Sequence, residues 1–215
     1  MSVAIDGPAG AGKSTIAKLV AKNFELMYIN TGAMYRAVAL VAKERNIEDT
    51  DIEALCNMID SLSMKFVNDD LYLNDENIQD KITMPEISSI VSKYASIKEV
   101  RSKLVDLQRE MSKRYDVIMD GRDIGTVVLK DSKFKFFLTA TPEARAERRY
   151  KELKNRGLDV DYSTILEDII KRDYIDSNRE VDPLRKAEDA IEIDTTSLTI
   201  EEVIEKISLS IRNKK

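Results

Sequence analysis

Residues 7–15 read Gly7-Pro8-Ala9-Gly10-Ala11-Gly12-Lys13-Ser14-Thr15, and this stretch decides the fold of the 215-residue chain. It has the P-loop spacing G-x-x-x-x-G-K-[ST] and stands between an apolar run and a helical pattern, as that motif requires. Its glycines let backbone N–H groups turn inward toward phosphates, aided by the positive end of the following helix. We therefore expect residues 7–15 to bind ATP, with Lys13 between the β- and γ-phosphates and Ser14 as a ligand of Mg²⁺. The alternative, a glycine-rich turn with a surface lysine, does not explain this context.

Short β-branched or aromatic runs alternate with helical patterns along the chain. This alternation favours a parallel sheet with helices on both faces. With a P-loop after the first strand, it predicts the α/β P-loop NTPase fold, a three-layer structure around a five-stranded parallel sheet. The predicted strands are Ser2–Asp6, Met27–Asn30, Asp116–Asp120, Lys133–Thr139 and Ala190–Asp194.

A long insertion, at about residues 33–114, interrupts the predicted core. Its length suggests a second lobe that closes over a ligand, but a passive structural insert fits the pattern equally well. Its predicted elements are a helix near Ile52–Leu62, a hairpin of Met64–Val67 and Leu71–Leu73, and a polar helix over about Ser96–Arg114.

A second excursion, at about residues 145–185, is rich in arginine. The break at Asn155-Arg156-Gly157 predicts two helices with a mobile tip. Thr199 and Glu202 form a capping box, which predicts the start of a C-terminal helix. We predict a single domain whose core comprises residues 1–32, 115–144 and 186–215.

The composition is that of an acidic globular protein. Lys and Arg number 34 against 39 Asp and Glu, a formal net charge of −5, so we expect neither nucleic acid nor a membrane as a partner. Histidine is absent, which excludes catalytic triads and imidazole metal ligands. The lone Cys56 is expected to be a buried filler. Since we find no signal peptide, long apolar run or sustained heptad, we expect a cytoplasmic monomer.

Charged side chains gather where the predicted strands end. Asp120 ends the third strand, where this fold class holds hydrated Mg²⁺, although such an Asp can also be a solvated turn residue. Thr31 can cap a helix whose first turn carries Arg36, which makes a second anion site. Arg122 follows the third strand at the same sheet edge, where open α/β sheets bind ligands.

Further charges lie on the predicted helices of residues 145–185. Arg172, Asp176 and Arg179 are spaced at i, i+4 and i+7, so they are predicted to share one helix face. Each charge alone is typical of a solvated surface or a weak salt bridge, but together they concentrate arginine in an acidic protein. Two phosphate sites on one domain indicate phosphoryl transfer between two bound molecules. A second set close to one face comprises Arg145, Arg148, Arg149 and Arg156.

Four segments read IDGPAGAGKST (Ile5–Thr15), NTGAMYRA (Asn30–Ala37), DGRDIGTVV (Asp120–Val128) and KRDYIDSNRE (Lys171–Glu180). In this order they resemble the signatures of the bacterial cytidylate kinases, a family of P-loop nucleoside monophosphate kinases, over essentially the whole chain. The segment Asp60–Lys81 resembles the extra segment of that family, while Asn30 replaces the Asp of many relatives. The resemblance implies that ATP phosphorylates CMP, and also dCMP, in pyrimidine nucleotide metabolism.

The resemblance also implies roles for single residues, with residues 33–114 as the NMP-binding insertion and residues 145–185 as a helical lid. The acceptor phosphate would be held by Thr31, Arg36 and Arg122, and the sugar by Arg172 and Asp176. The base would be read by Ser92, Arg101 and Asp123, with Arg179 between base and phosphate. Together with the charge argument, this predicts the catalytic residues Lys13, Arg122, Arg148 and Arg179.

Cytosine chemistry agrees with these base contacts. The N4 amine can donate to Asp123, and Arg101 can donate to N3 or O2. Uracil would leave both Asp123 and Arg101 without a matching partner. Each mispaired group would cost about 1–3 kcal/mol of binding free energy, which corresponds to roughly 10- to 100-fold selectivity for cytosine. The acceptor phosphate, with a second pKa of about 6, is itself the nucleophile, so a chain without histidine needs no general base.

Two other functions stay open at this point. A P-loop kinase could instead accept uridylate, adenylate or a small hydroxylated metabolite, and turnover of CMP, dCMP, UMP and AMP would distinguish these acceptors. A nucleotide switch or a regulatory ATP-binding module belongs to a different class. The second anion site and the absence of an Asn/Thr-Lys-x-Asp guanine motif argue against it.

Overall fold

The computed structural model describes residues 1–213, and its centre is a five-stranded parallel sheet. The strands are β1 (Ser2–Asp6), β2 (Met27–Asn30), β6 (Val117–Gly121), β7 (Phe134–Thr139) and β8 (Ile191–Asp194). All five predicted strands are thus confirmed to within one residue at each end. The strand order is β2-β6-β1-β7-β8, so the ends of β1, β6 and β2 lie side by side.

Alternate strand residues face opposite sides of the sheet, and helices cover both sides. Val3 and Ile5 pack in one apolar cluster with the helix after the P-loop and with the C-terminal helix. Ala4 and Met119 pack in a second cluster, with the helix after β2 and with the insertion. Since apolar side chains leave both faces of the sheet, the predicted three-layer α/β architecture is confirmed. The three helices named here are α1 (Lys13–Phe24), α2 (Thr31–Glu44) and α9 (Ile200–Asn213).

The insertion between α2 and β6 contains more structure than the sequence predicted. The predicted hairpin and both predicted helices are present. The sequence did not predict the short strand β5 (Glu76–Asn77) or the helices α4 (Gln79–Ile82) and α5 (Pro85–Ala95). Two signals could have found them: a second turn, Asn74-Asp75, with φ of 48° and 69°, and Pro85 at the start of α5. The elements are α3 (Ile52–Asp60), β3 (Met64–Val67), β4 (Asp70–Leu73), β5 (Glu76–Asn77), α4 (Gln79–Ile82), α5 (Pro85–Ala95) and α6 (Lys98–Arg114).

Cys56 is only partly buried, which differs from the expectation of a buried filler. The buried face of α3 consists of Leu55, Met58 and Ile59. These residues are spaced at i, i+3 and i+4, and Cys56 lies about 100° around the helix from Leu55, at the edge of that face.

The arginine-rich segment folds as two helices, as predicted: α7 (Pro142–Asn155) and α8 (Tyr162–Asn178). Gly157 has a φ of 76° just after the end of α7, and the connection continues to Asp161. The two helices share a small apolar cluster that is separate from the clusters on the sheet, formed by Ala146, Leu153, Ile165 and Ile169. The ion pair of Arg122 with Asp176 also connects α8 to the end of β6.

The C-terminal helix begins at the predicted capping box. The Thr199 N–H donates to Glu202 Oε2 at 2.8 Å, and the Glu202 N–H donates to Thr199 Oγ1 at 3.2 Å. These bonds satisfy N–H groups that the helix itself leaves without partners. Among residues 1–213, no helix is both long and apolar enough to cross a membrane.

We predict that Ile207→Ala lowers the free energy of unfolding by about 3 kcal/mol, because it opens a cavity between α9 and the sheet. Ile207 is 0% exposed. On the same helix, Leu209 is 49% exposed, and Leu209→Ala should change that free energy by less than about 0.5 kcal/mol. Denaturant unfolding of both variants measures the difference, and equal losses would contradict the packing of α9 described here.

Candidate active site

The P-loop turns tightly between β1 and α1. Gly7, Gly10 and Gly12 have φ of 146°, 76° and 85°, which glycine adopts without strain. A Cβ on Gly7 would stand 1.9 Å from the Leu138 carbonyl oxygen, so no larger residue fits there. The N-cap of α1 is Gly12, which supplies no side-chain bond to the first helical N–H groups. These N–H groups are therefore free to bind an anion.

Lys13 lies buried at the start of α1 and donates from Nζ to the Pro8 carbonyl at 2.7 Å. Burial, followed by the charge of Arg122, lowers the pKa of the Lys13 ammonium. A positive charge held in a buried, cation-rich place is unfavourable by itself, and a bound anion relieves that cost. Lys13 therefore lies where a phosphate would stabilise it.

The Asp120 carboxylate, at the end of β6, links the P-loop to β2. Ser14 donates to Asp120 Oδ2 at 2.7 Å, and Tyr28 donates to Asp120 Oδ1 at 2.9 Å. Burial and the charge of Asp120 raise the pKa of the Tyr28 hydroxyl, which keeps it a donor. A serine hydroxyl facing an oriented carboxylate is an all-oxygen donor set of the kind Mg²⁺ prefers, so these residues fit that ion. Tyr28 was missed by sequence reasoning, since an aromatic residue in a strand normally indicates packing.

The predicted cap of α2 is wrong by one residue. Asn30, not Thr31, is the N-cap, and its side chain accepts from the Ala33 N–H at 2.9 Å. Thr31 is the first helical residue, and its hydroxyl donates to the Asp120 carbonyl at 2.8 Å. The physical reason is that a capping side chain must sit on the last non-helical residue, and β2 extends through Asn30.

A second cationic pocket adjoins the P-loop. It contains Arg36, Arg122 and Arg172, with the Nε atoms of Arg36 and Arg172 buried and without a hydrogen-bond partner. Arg122 Nε donates to Asp176 Oδ2 at 2.8 Å, whereas Arg172 Nε is 3.9 Å from the same oxygen. Burial, and then the charge of Arg122, lowers the pKa of Arg172 to about 10. An anion placed here would satisfy both N–H groups and offset the positive charge around them.

Arg101 forms the centre of a third group, in which every side chain has a protein partner. It is 1% exposed, its Nη2 donates to Asp123 Oδ2, and its Nη1 donates to the Ala95 carbonyl at 3.1 Å. Arg179 Nη2 lies 3.4 Å from Asp123 Oδ1. Burial raises the pKa of the Asp123 carboxyl. Ser92, half-buried on α5, lies one turn before Ala95 and so belongs to the same region.

Arg179 does not lie on the face of α8, contrary to the prediction. The helix ends at Asn178, and Arg179 follows it with an extended φ and ψ of −62° and 146°. Arg172 and Asp176 do share the helical face. The i+7 spacing assumed one more residue of helix than the chain forms.

The arginines of α7 have different partners. Arg145 is buried, and it donates to the Ala9 carbonyl at 3.0 Å and to Asp173 Oδ2 at 2.6 Å. Arg148 donates to the hydroxyl and the carbonyl of Thr195. Arg149 pairs with Glu152 on the helix surface, and Arg156 is exposed at the helix end. Arg145 and Arg148 therefore reach toward the core, and burial, together with the charge of the half-buried Arg149, helps to lower the pKa of Arg36.

Asp6, at the end of β1, is a site residue that sequence reasoning used only as a strand end. It is 3% exposed, and its two carboxylate oxygens accept from the N–H groups of Ile124 and Gly125 at 2.8 and 2.7 Å. These residues begin a single π-helical turn, Ile124–Val128, directly after Arg122 and Asp123. Asp6 thereby holds the segment that carries both predicted substrate contacts. The available signal was a carboxylate ending an apolar strand just before the P-loop.

A P-loop after the first strand of a parallel sheet, with a second cationic pocket at the same edge, defines a P-loop nucleotide-binding protein. Solved structures share this fold. A sugar kinase from Janibacter sp. HTCC2649 is similar with a TM-score of 0.51 at 15% identity, covering 98% of this chain and 94% of that chain. TT1252 from Thermus thermophilus has a TM-score of 0.51 at 16% identity, covering 100% and 97%. At such identities the likeness shows the fold alone.

The family is shown by sequence. The profile of the family described as cytidylate kinase matches residues 3–213. A cytidylate kinase of Clostridium perfringens (strain SM101 / Type A) is 67% identical over 208 residues, 97% of this chain and 96% of that protein. A cytidylate kinase of Clostridium acetobutylicum is 63% identical over 214 residues, 100% and 99% of the two chains. The chain belongs to the cytidylate kinase family, and the resemblance noted in its motifs is confirmed.

We predict that Asp6 makes stability fall as pH rises from about 4 to about 7. Burial raises the pKa of this carboxyl from 3.8 to about 7. Because the folded protein keeps the proton over that range while the unfolded chain loses it, the contribution of Asp6 to the free energy of unfolding decreases with pH and levels off above pH 7. The loss should be roughly 2–4 kcal/mol.

The measurement is denaturant unfolding of the wild-type protein and of Asp6→Asn between pH 4 and 8. Asn carries no charge at any of these values, so the difference between the two free energies isolates the titration of Asp6. A difference that stays constant with pH, or grows as pH rises, would show that the carboxyl is ionised throughout this range.

Proposed function

We propose that this protein transfers the γ-phosphoryl group of ATP to CMP, giving CDP and ADP, and that it also accepts dCMP. The proposal rests above all on the second cationic pocket, where the Nε atoms of Arg36 and Arg172 are buried without a partner beside the P-loop. Hydrolysis of a single nucleotide has no use for a second phosphate pocket. Relatives named cytidylate kinase, at 63% and 67% identity, support CMP as the acceptor. We also infer that the reaction belongs to pyrimidine nucleotide metabolism.

On the donor side, residues 7–15 bind ATP through inward-facing N–H groups, and Lys13 binds the β- and γ-phosphates. Ser14 and Asp120 would hold Mg²⁺, which when bound would neutralise charge on the phosphate oxygens. The hydrogen bond from Tyr28 to Asp120 supports this assignment, because it orients the carboxylate without using the oxygen that faces Ser14.

On the acceptor side, Thr31, Arg36 and Arg122 bind the CMP phosphate, while Arg172 and Asp176 contact the sugar. The unpaired Nε of Arg36 supports the first role. Arg122 is already oriented by Asp176, so a phosphate would meet a guanidinium whose position is fixed on one edge. Fixed donors lose little conformational entropy when a ligand binds.

Ser92, Arg101, Asp123 and Arg179 form the base pocket. Asp123 accepts from the cytosine N4 amine, and Arg101 donates to N3 or O2. The ion pairs of Asp123 with Arg101 and Arg179 support this role, because they keep a carboxylate charged in a buried place where it can accept.

Catalysis then consists of alignment and charge neutralisation. The CMP phosphate is the nucleophile and is largely dianionic at neutral pH, so no side chain needs to remove a proton. Lys13, Arg122, Arg148 and Arg179 offset the charge that spreads over the transferred group. The site works best when water is absent, because water would compete as the acceptor.

Residues 145–185 act as a lid over the donor, and residues 33–114 hold the acceptor. The separate apolar cluster of α7 and α8 supports a lid, because the pair can shift as a unit with its own interior intact. We also infer that the protein acts in the cytoplasm, where its substrates are found, and as a monomer, since one chain supplies both pockets. Small nucleotides, rather than nucleic acid or a membrane, are its partners.

Side-by-side turnover with CMP, dCMP, UMP and AMP tests the proposed acceptor. We expect kcat/KM for CMP and dCMP to exceed that for UMP by roughly 10- to 100-fold, because uracil mispairs with Asp123 and Arg101. A preference for UMP or AMP would assign the site to another nucleoside monophosphate. ADP release that is independent of any acceptor would favour a nucleotide switch.

Replacing Arg148 tests the lid. We expect Arg148→Ala to lower kcat by roughly 100-fold, because it removes a charge from the transferred group. Lys151→Ala is the matched control, since Lys151 pairs with Glu147 on the exposed surface of the same helix, and it should leave kcat within about twofold. Thermal unfolding of both variants separates a loss of rate from a loss of folding. Unchanged kcat in a folded Arg148→Ala would remove Arg148 from the catalytic set.

A further inference from the structure

Asp182 lies in the segment that follows α8, outside the four motifs that resemble those of the family. Its carboxylate Oδ2 accepts from Arg101 Nε at 3.1 Å. Its carbonyl accepts from Arg179, through Nε at 2.7 Å and through Nη2. One residue thus holds both arginines of the proposed base pocket, and it does so from the part of the proposed lid segment that follows α8.

We propose that Asp182 is a positioning residue that sets the selectivity for cytosine over uracil by fixing the orientation of Arg101. This inference rests on the proposed function, because it concerns the base pocket of that same site. Asp182 does not need to touch the nucleotide. It acts by orienting Arg101 and by sharing with Asp123 the charge of the two arginines.

Contacts on separate edges of the guanidinium fix the orientation of Arg101. Nη1 is held by the Ala95 carbonyl, Nη2 by Asp123, and the guanidinium carbon lies 5.5 Å from the centre of the Tyr35 ring. Asp182 holds the remaining edge, at Nε. A guanidinium is planar and carries its donors in a rigid fork, so a contact at Nε decides which way both terminal nitrogens point.

Charge balance gives the second step. Arg101 and Arg179 are paired with Asp123 and Asp182, so the group is electrically neutral as built. Without the Asp182 carboxylate, Asp123 would face two arginines alone. Arg101 would then be free to turn and bind both oxygens of Asp123, the geometry that arginine and carboxylate prefer.

Selectivity for cytosine depends on whether Asp123 has a carboxylate oxygen free to accept a hydrogen bond from the base. If Arg101 occupies both oxygens of Asp123, the N4 amine of cytosine loses its acceptor. Uracil presents a carbonyl at that position, which is compatible with a guanidinium turned toward it. Loss of the Asp182 carboxylate should therefore weaken the binding of CMP and leave the binding of UMP unchanged or stronger. A general loss of structure would weaken the binding of both nucleotides.

The backbone at Asp182 determines which substitutions are informative. Its φ is 49°, a left-handed conformation that Gly and Asn adopt with little strain. Asp182→Gly removes the carboxylate and relieves the backbone, so folding is preserved. Asp182→Asn keeps the conformation and a neutral acceptor for Arg101 Nε. The carbonyl that binds Arg179 stays in both variants.

Asp159 provides the matched control. It is a fully exposed lid aspartate in the connection between α7 and α8, where it pairs with Lys154 at 3.1 Å. Asp159→Gly makes the same chemical change and the same change of net charge as Asp182→Gly. It lies in the same excursion of the chain and contacts none of the proposed pocket residues in the hydrogen bonds and ion pairs recorded for residues 1–213.

The experiment measures kcat and KM for CMP and for UMP at saturating ATP, and KM for ATP at saturating CMP, in the wild-type protein and the three variants. We expect Asp182→Gly to lower the CMP-to-UMP ratio of kcat/KM by roughly tenfold, mainly through KM for CMP. KM for ATP should stay within about twofold of the wild-type value. Asp182→Asn should be intermediate, and Asp159→Gly should match the wild type.

Each other outcome has a definite meaning. A wild-type CMP-to-UMP ratio retained in Asp182→Gly overturns the inference and leaves the proposed function intact. A uniform fall in kcat for both acceptors, with the ratio retained, shows a merely structural role and also overturns it. A wild-type protein without any preference for CMP refutes the proposed function itself, so the two failures are distinguishable.

Discussion

Excess positive charge at the carboxyl edge of the sheet is the constraint on which the rest of the site depends. Lys13 is buried, and Arg36 and Arg172 keep buried Nε atoms without partners. The carboxylates beside Arg172, which are Asp173 and Asp176, also pair with Arg145 and Arg122, so they do not balance these charges. A folded protein tolerates such a cluster only when the surrounding structure is stable enough to hold it and an anion is available to neutralise it. An anionic ligand at this edge would therefore offset charge that the protein itself leaves unbalanced.

The sheet supplies the necessary rigidity. Register places Asn30 beside Asp120 and Asp6 beside Gly121, so three strand ends present their side chains at one edge. From there, Asp6 holds the turn after Asp123, and Asp120 holds the P-loop serine. Each of these carboxylates is fixed by strands with apolar packing on both faces, which is why a polar site of this kind can be buried without loosening.

Ion pairs and hydrogen bonds of arginine join α7 and α8 to the remainder of the protein at several points. Arg145 ties Asp173 to the P-loop carbonyl of Ala9, and Arg122 ties Asp176 to the end of β6. Such contacts are exchangeable, because a phosphate can replace a carboxylate as the partner of a guanidinium. In the proposed function, the same arginines would hold α7 and α8 in the free protein and bind nucleotides in the complex.

The sequence by itself determined what depends on neighbours along the chain. The strands, the P-loop, the two lid helices and the capping box at Thr199 are set by patterns a few residues long, and all of them are found in the structure. The cap of α2 was assigned one residue late, because whether Asn30 or Thr31 ends the strand depends on its pairing with β6.

Only the tertiary structure decided which distant groups meet. Tyr28 bonds to Asp120 across 92 residues, Asp6 to Ile124 across 118, and Arg101 to Asp182 across 81. No local spacing encodes these pairs, since each arises when the parallel sheet or the lid brings separate segments together. Tertiary packing therefore decides which of the many charged residues form buried pairs. A buried charge is stable only beside a partner, and the fold determines which residues are close enough to be one.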